Sequence, residues 1–493
     1  MKKQVTNKKK QKNFVPLTVL WTLPVLAGCA VGPNYKRPAP TPTPAPLGFK
    51  EIKDWKPADP ATLPDQGRWW ELYNDPTLNQ LESQVRINNQ NVAEAAANYR
   101  ASEALVTEAR AGLFPVLNAT FDASRGQQGS AGLTGTNNSS FATGQTGPRN
   151  QFSPELSASW TADIWGEVRR EIAEAKQNAA VSQEDLAYAT LSAQATLASD
   201  YFQLRSTDSL RTLLTETVDG DARALTITKN EYNAGTVTSA DVVTAQAQLE
   251  AAQAQLAGVA GSRAIYEHAI AVQLGAAPAA LTLAAAPLTK DVPVVPAGLP
   301  SELLERRPDI AAAESGMHSK SEAIGVAEAA LYPTITLTAS GGFSGNALNN
   351  LFSVANRVWS LGAAADLNIF DGGAQTAAIT DARANYDNAV ATYRETVLTA
   401  FQGVEDELAT LNAAQNEAVL NDAAVQAAQK AVDVMLNQYK AGTVAYTSVI
   451  TEQNLLLADQ QSQLTNQTNR LLASVTLIED IGGGWKKIAP VRF

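Results

Sequence analysis

The chain has 493 residues, a formal net charge of −11 at pH 7 and a single cysteine. This length allows several layers of structure or one elongated assembly. The acidic balance argues against nucleic acid as a partner, because phosphate binding needs clustered lysine and arginine. A single cysteine cannot form an internal disulfide or a cysteine-rich zinc site, so stability must come from packing.

Residues 1–28 have the pattern of a secretory signal peptide. Six lysines lie between Lys2 and Lys12, no acid is present, and an apolar run follows that is too short to span a membrane. The run ends in Leu-Ala-Gly-Cys, which resembles a bacterial lipobox. We therefore predict cleavage before Cys29, diacylation of Cys29 and a formal charge of −17 for the mature chain. The alternative is an ordinary signal peptide with an incidental cysteine.

The segment after the cleavage point is predicted to be a lipid anchor and tether, residues 29–76. Ala30, where some lipoproteins have aspartate, resembles the signal for sorting to the outer membrane. Acyl chains on Cys29 would hold this end at a membrane surface. Residues 33–68 are rich in proline, which favours an extended segment. No later apolar run is long enough for a spanning helix, so any membrane crossing requires a barrel of strands.

The first structured element is a helical pattern over residues 78–112. Apolar and polar residues then alternate over 116–124 and again over 152–164, which predicts a β-hairpin within residues 114–164. The alternation suits a membrane barrel with lipid outside and water inside. A soluble sheet with one buried face shows the same alternation, so this alternative stays open.

A very long helical pattern follows the first hairpin. It covers residues 167–232, roughly 100 Å at 1.5 Å per residue. A turn at Gly235 leads to a return helix over 239–274, which covers only about half that length. The helix before the hairpin supplies the other half if the two short helices stack end to end.

The whole series is predicted to occur twice. The sequence YNAGTVTSADVVTAQ at 232–246 returns as YKAGTVAYTSVITEQ at 439–453, with eight of fifteen positions identical. We predict a first repeat over 77–277, a proline-rich crossover over 278–300 and a second repeat over 301–482, followed by a C-terminal tail. The second repeat contains a helix at 301–331, a hairpin within 332–370, a long helix at 372–440 and a return helix at 445–481. The tail covers residues 483–493.

The predicted fold is mainly α with a small β part. The helices are rich in Ala, Gln, Asn, Ser and Thr and poor in Leu, which suits walls wetted on both sides better than a solid bundle. Four strands cannot close a barrel, and eight would leave a filled interior, whereas twelve leave an aqueous lumen. A trimer is therefore the smallest assembly of this chain with an open pore. We predict a long α-helical barrel and a transmembrane β-barrel completed by trimerisation.

Several motifs in order resemble one known family, the outer-membrane factors of Gram-negative tripartite efflux systems. The resemblance is to the lipoprotein branch of the TolC family, called the NodT or OprM-like group, and covers essentially the whole mature chain. The motifs are GCAVGPNYKRP at 28–38, RWWELYNDPTLNQL at 68–81, LLERRPDIAAAE at 303–314, IGVAEAALYPTITLTASGGF at 324–343 and AFQGVEDEL at 400–408.

The resemblance implies a homotrimer with a twelve-stranded barrel and a periplasmic helical tunnel. It implies outer-membrane lipid around the barrel, and a tip that opens when docked on a periplasmic adaptor and an inner-membrane pump, most often of the RND type. The chain would be a passive gated exit duct for drugs or other small molecules. A duct for type I protein secretion is one alternative, and a periplasmic adaptor protein is another.

We predict no enzymatic activity and no cofactor other than the lipid on Cys29. The chain has no GxxxxGK[ST], HExxH or GxSxG motif. His268 and His318 lie alone in helical stretches, so no metal or catalytic role is expected. Glu405 and Asp406 are adjacent acids on a long helix, which favours a solvated or interhelical face.

The resemblance places the gate at the two AGTV turns. Tyr439 matches the tyrosine of the family's closed tip, and Asp241 stands at an acidic position. Val444 occupies a basic position, and Ser448 and Thr451 replace acids. We therefore expect an apolar or hydrogen-bonded constriction in place of a charged latch. The predicted tip residues are Tyr232, Gly235, Val237, Asp241, Tyr439, Gly442, Val444 and Ser448.

Two of these residue types have a simpler explanation. Asp241 falls in the first turn of a predicted helix, where a carboxylate complements the helix dipole. Gly235 and Gly442 are expected to form the turns themselves, since glycine adopts left-handed backbone conformations without steric cost.

Overall fold

The computed structural model describes residues 30–41, 48–52, 67–127, 148–295 and 306–485. Cys29, the end of the predicted crossover and most of the predicted tail lie outside these residues. The helices are α1 (Pro76–Asn88), α2 (Gln90–Ala111), α3 (Glu167–Asn233), α4 (Ser239–Gln273), α5 (Pro308–Ala329), α6 (Ala374–Lys440) and α7 (Tyr446–Asp480). The strands are β1 (Val116–Gly126), β2 (Arg149–Ala162), β3 (Thr334–Phe343) and β4 (Arg357–Asp366).

Two helices of 67 residues each, α3 and α6, set the dimensions of the molecule. At 1.5 Å per residue, each is about 100 Å long. Each is followed by a return helix of 35 residues, α4 or α7, as the sequence predicted. Helix α3 packs against α2, α4 and α5, and α6 packs against α5 and α7. No helix in the described part of the chain is long and apolar enough to cross a membrane.

The predicted single helix over 78–112 is wrong, because the chain breaks at Asn89. This residue leaves the helical conformation, with φ −65° and ψ 127°, and separates α1 from α2. Its side-chain oxygen accepts from the amides of Asn91 at 2.9 Å and Val92 at 3.1 Å. Its side-chain nitrogen donates to the backbone oxygen and Oε1 of Gln273, at 2.9 and 2.8 Å. The periodic pattern continues through the break because Asn89 itself caps the next helix.

The four strands form one antiparallel sheet in the order β1-β2-β3-β4. The two predicted hairpins are present, and they join through β2 and β3, where Trp160 lies opposite Leu337. Strands β1 and β4 are the edges, and every residue of both is exposed. Large apolar side chains on these edges, such as Phe121 (61% exposed) and Leu361 (76% exposed), have no covering layer in the single chain.

The main core lies where the short helices meet the middle of α3. The buried residues Trp69, Tyr73, Leu78, Tyr201 and Phe202 belong to it. The Tyr201 hydroxyl donates to Asp75 at 2.5 Å, and Asp75 also caps α1. The Tyr73 hydroxyl lies 2.7 Å from Ser474 Oγ of α7. The Trp-Trp segment thus links helices from both halves of the chain.

The first part of the crossover is held to the helices by buried charge. Asp208 on α3 accepts from Arg263 Nε at 2.8 Å and from the amide of Ala286 at 3.2 Å. Arg263 also donates to the backbone oxygen of Leu283 at 2.6 Å. Because each charge has several partners, the segment is fixed against α3 and α4 despite its lack of regular structure.

The break at Asn89 generates a test of stability. Asn89→Ala removes a cap and two side-chain hydrogen bonds, so we expect a loss of about 1–2 kcal/mol. Asn89→Asp keeps the cap acceptor but turns a buried carboxylate oxygen towards the Gln273 carbonyl, so its loss is expected to be at least as large. Thermal unfolding in detergent and hydrogen exchange at Asn91 and Val92 measure both effects. The exposed Asn91→Ala is the control, and an Asn89→Ala variant as stable as the wild type would contradict the assignment.

Candidate functional site: the helical tip

The two AGTV turns have the same geometry. Gly235 and Gly442 are left-handed, with φ of 77° and 69°. Each donates its amide to the carbonyl three residues earlier, at 2.9 Å in both turns. The following threonine amide reaches five residues back, at 3.0 Å in both turns. These bonds form a Schellman motif, which satisfies the last carbonyls of a helix and requires a left-handed residue. The glycines therefore have the turn-forming role expected for them.

The helices that start after the turns are capped differently. Thr238 and Asp241 form a capping box on α4, because the Thr238 amide and hydroxyl both donate to Asp241 Oδ2, at 2.9 and 2.7 Å. At the equivalent positions, Ala445 precedes α7 and Ser448 lies in its first turn, and no side chain caps that helix. The carboxylate of Asp241 is thus engaged in holding its own helix start.

A tyrosine joins the ends of the two long helices. The Tyr439 hydroxyl, in the last turn of α6, donates a short hydrogen bond to Glu231 in the last turn of α3. The Tyr439 ring also lies 5.2 Å from that of Tyr446, at the start of α7. Tyr232 is the equivalent of Tyr439 in the first turn, and its side chain is 48% exposed. The tyrosine–glutamate bond is therefore formed at the Tyr439 turn and not at the Tyr232 turn.

An apolar cluster lies directly behind this bond. We call it the tip cluster, and it joins α3, α4, α6 and α7. Its buried members are Leu225, Ala245, Tyr446, Val449 and Ile450, and partly buried residues including Met435 and Tyr439 pack against it. Because four helices contribute, movement of α6 and α7 away from α3 would expose this cluster at a cost of roughly 25 cal/mol per Å² of apolar surface.

The electrostatics keep the tyrosines as donors. Burial and the charge of Glu231 raise the pKa of Tyr439 above its usual range. Burial, with the charges of Asp221 and Glu231, raises the pKa of Tyr446 to about 12. Burial also raises the pKa of Asp221, whose Oδ2 atom has no hydrogen-bond partner. At neutral pH the Tyr439 hydroxyl keeps its proton and can donate a hydrogen bond to Glu231.

Sequence reasoning placed Tyr439 at this site but missed Glu231 and Tyr446. Val237, Val444 and Ser448 are half-buried beside the turns and form no part of the tyrosine–glutamate pair. The two similar turn sequences did contain a signal for these residues. At the offset of 207 residues, Glu231 aligns with Gln438 and Tyr446 aligns with Ser239. Positions at which the two turns differ in chemistry mark the asymmetric contacts.

The fold and this tip belong to a family of outer-membrane channels. Residues 81–276 and 299–483 match the outer membrane efflux protein family, and the chain is a member of it. Members of this family are channels in the outer membrane, not enzymes. The chain is accordingly an outer-membrane efflux channel.

Relatives and solved structures cover nearly the whole chain. The toluene efflux pump outer membrane protein TtgC of Pseudomonas putida is 30% identical over 480 residues, 96% of each chain. The pyoverdine export outer membrane protein OpmQ of Pseudomonas aeruginosa is 31% identical over 452 residues, 90% of this chain and 94% of that one. The outer-membrane channel OprN has a TM-score of 0.84 and 27% identity, covering 93% of this chain and 100% of its own. The open state of the Neisseria gonorrhoeae MtrE channel has a TM-score of 0.80 and 26% identity, covering 93% and 99%.

The two helix starts at the tip are a matched pair for mutation. Asp241→Ala removes the capping box and is expected to destabilise the start of α4 by about 1 kcal/mol. Ser448→Ala removes no cap, so we expect a change within about 0.5 kcal/mol. Hydrogen exchange of the first-turn amides of α4 and α7 measures the difference. Equal effects of the two substitutions would contradict the asymmetry of the caps.

Proposed function

We propose that three copies of this chain form the passive, gated exit duct of a tripartite pump for drugs or other small molecules. The observation that carries the proposal is the sheet. The outer edges of strands β1 and β4 are unpaired and both strands are fully exposed, although edges of this kind otherwise invite aggregation. Twelve strands from three copies would pair all the edges and enclose an aqueous lumen. The alternating apolar face would then meet outer-membrane lipid.

The long helices support the second part of the duct. Each half of the chain contributes a 67-residue helix and shorter helices beside it, and we propose that these two structural repeats line a periplasmic tunnel. Three copies would give six long helices around the axis. The helices are too polar for a solid bundle, which favours walls that are wetted on both sides.

We propose that the gate is the helical tip and that it is closed by a hydrogen bond and apolar packing. Tyr439 and Glu231 form its core, and the tip cluster holds α7 against α3 behind them. The predicted residues Tyr232, Val237, Val444 and Ser448 would line the constriction, with Gly235, Gly442 and Asp241 shaping the turns. Docking of an adaptor at the turns would open the tip by separating α6 and α7 from α3.

The partners and the anchor complete the proposal. A periplasmic adaptor and an inner-membrane pump, of the RND type, would supply the energy and the cargo. The relatives carry toluene and pyoverdine in their names, so we propose small organic molecules as cargo for this chain. Lipid chains on Cys29 would anchor the N-terminus in the outer membrane, with no other cofactor. Family membership argues against the adaptor alternative, and no observation favours type I secretion.

The gate can be tested by removing one oxygen atom. Tyr439→Phe loses the bond to Glu231 but keeps the ring in the tip cluster. If the bond forms only in the closed tip, a charge-assisted bond of roughly 1.5–3 kcal/mol corresponds to an increase of about tenfold or more in the open population. Single-channel conductance and the uptake of a large hydrophilic antibiotic measure the leak.

Tyr232→Phe is the matched control, since it removes the same atom from the equivalent position in the other turn. Glu231→Gln is expected to give a smaller leak than Tyr439→Phe, because the amide oxygen still accepts from the hydroxyl. Equal leaks from Tyr439→Phe and Tyr232→Phe would exclude the proposed gate bond.

A deletion strain tests the export function. We expect raised intracellular retention of efflux dyes and drugs with an unchanged set of secreted proteins, because the cargo is proposed to be small molecules. Retention assays and secretome profiling are done in parallel on the deletion strain and on the strain complemented with the gene. Loss of one secreted protein with normal drug retention would favour the type I secretion alternative.

A further inference from the structure

The N-terminal segment that was predicted as a tether lies against the helices wherever the structure describes it. We call residues 30–41 and 48–52 the strap. Its first contact is at the junction between strand and helix, where the Val31 amide donates to the backbone oxygen of Trp165 at 3.0 Å. A Cβ atom on Gly166 would lie 2.9 Å from Ala30 Cα. The strap therefore starts beside the first turn of α3.

The strap completes a buried ion pair between the two halves of the chain. Arg170 on α3 donates to Glu322 on α5 at 2.7 Å, and both side chains are more than 90% buried. Arg170 also donates to the backbone oxygens of Val31 and Gly32, at 3.2 Å each. A buried guanidinium needs all its donors satisfied, so loss of the strap would leave part of this charge without partners.

The strap then follows one face of α5. A Cβ atom on Gly32 would lie 2.5 Å from Gly325 Cα, so only glycine permits this approach. The Tyr35 ring stacks on His318 with centroids 4.2 Å apart, and His318 Nε2 lies 3.3 Å from Glu322. The residues of α5 that the strap contacts are therefore spaced three or four positions apart, so they lie on one face of the helix.

Beyond α5, the strap contacts helix α6. Arg37 bridges α5 and α6, with Nη2 3.2 Å from Glu314 and donating to the Tyr393 hydroxyl at 3.2 Å. Farther along, Glu405 accepts from the amides of Lys50 at 2.7 Å and Glu51 at 3.0 Å. Phe49 is buried in the main core. Glu405, expected to be a solvated or interhelical acid, thus binds the strap.

From these contacts we infer that the strap is a clasp that fixes where the N-terminus leaves the protein. It binds α3 of the first half and α5 and α6 of the second, and it holds Ala30 at the sheet end of the helices. The position of the anchor is then set by protein contacts and not by the reach of a free proline-rich tether. The role in positioning lipid rests on the proposed acylation of Cys29, whereas the docking of the strap does not.

Limited trypsin digestion of the full-length protein in detergent tests the docking. Cleavage after Lys36 requires local release of the strap, because a protease needs an extended, mobile segment. We expect Tyr35→Ala and Arg37→Ala to speed this cleavage by about tenfold or more, since each loses a contact that is made only when the strap is docked. The appearance of the new N-terminus at residue 37 is followed by mass spectrometry.

Two conservative changes separate the contacts from general disruption. Tyr35→Phe is expected to stay as resistant as the wild type, because the Tyr35 hydroxyl is buried without a hydrogen-bond partner and the stacked ring is kept. Gly32→Val is expected to release the strap, whereas Gly48→Val, with no atom within 4 Å of its added Cβ, is the matched control. Asn34→Ala, at an exposed position, is the control for substitutions to alanine.

Cys29→Ser distinguishes the clasp from the lipid. We expect this variant to resist cleavage at Lys36 as well as the wild type does, because the strap is held by the helices. Faster cleavage in Cys29→Ser, or equal resistance of Tyr35→Ala and wild type, would overturn the inference. Neither result depends on efflux, so a failure of the export proposal in the deletion strain would remain a separate finding.

Discussion

The constraint on which the structure depends is the length of two uninterrupted helices. Helices α3 and α6 have 67 residues each and are about 100 Å long. The rest of the chain in each half must therefore span the same distance. No single return helix does so. The distance is covered instead by α1, α2 and α4 in the first half and by α5 and α7 in the second. The main core forms where these shorter helices meet, near Trp69 and Tyr201.

Left-handed glycines allow such long helices to begin and end sharply. Gly166 and Gly373 precede the long helices, and Gly235 and Gly442 follow them, all with positive φ. A side chain at these positions would be strained. The chain can thus enter each helix from the sheet and reverse at the tip within a few residues. The sheet and the tip therefore lie at opposite ends of the same helices.

The two tip turns are similar in backbone but not in side-chain chemistry. The same Schellman turn occurs twice, yet the capping box belongs only to α4 and the tyrosine–glutamate bond only to the α6 end. The strap is also asymmetric, because it binds one face of α5 and has no counterpart on α2 among the described residues. Turns of the same backbone geometry thus carry different side-chain contacts.

The sequence by itself determined the helices, the strands and the turns. These depend on local periodicity, on glycine and on the repeat of 207 residues, so the bounds of α3, α4, α6 and α7 agree with prediction to within two residues. Tertiary structure alone decided the break at Asn89, which depends on Gln273 from a distant helix. It also decided the pairing of Tyr439 with Glu231 and the binding of the strap by Arg170 and Glu405. Each of these contacts joins residues more than 130 positions apart, and local patterns carry no information about which distant side chains will meet.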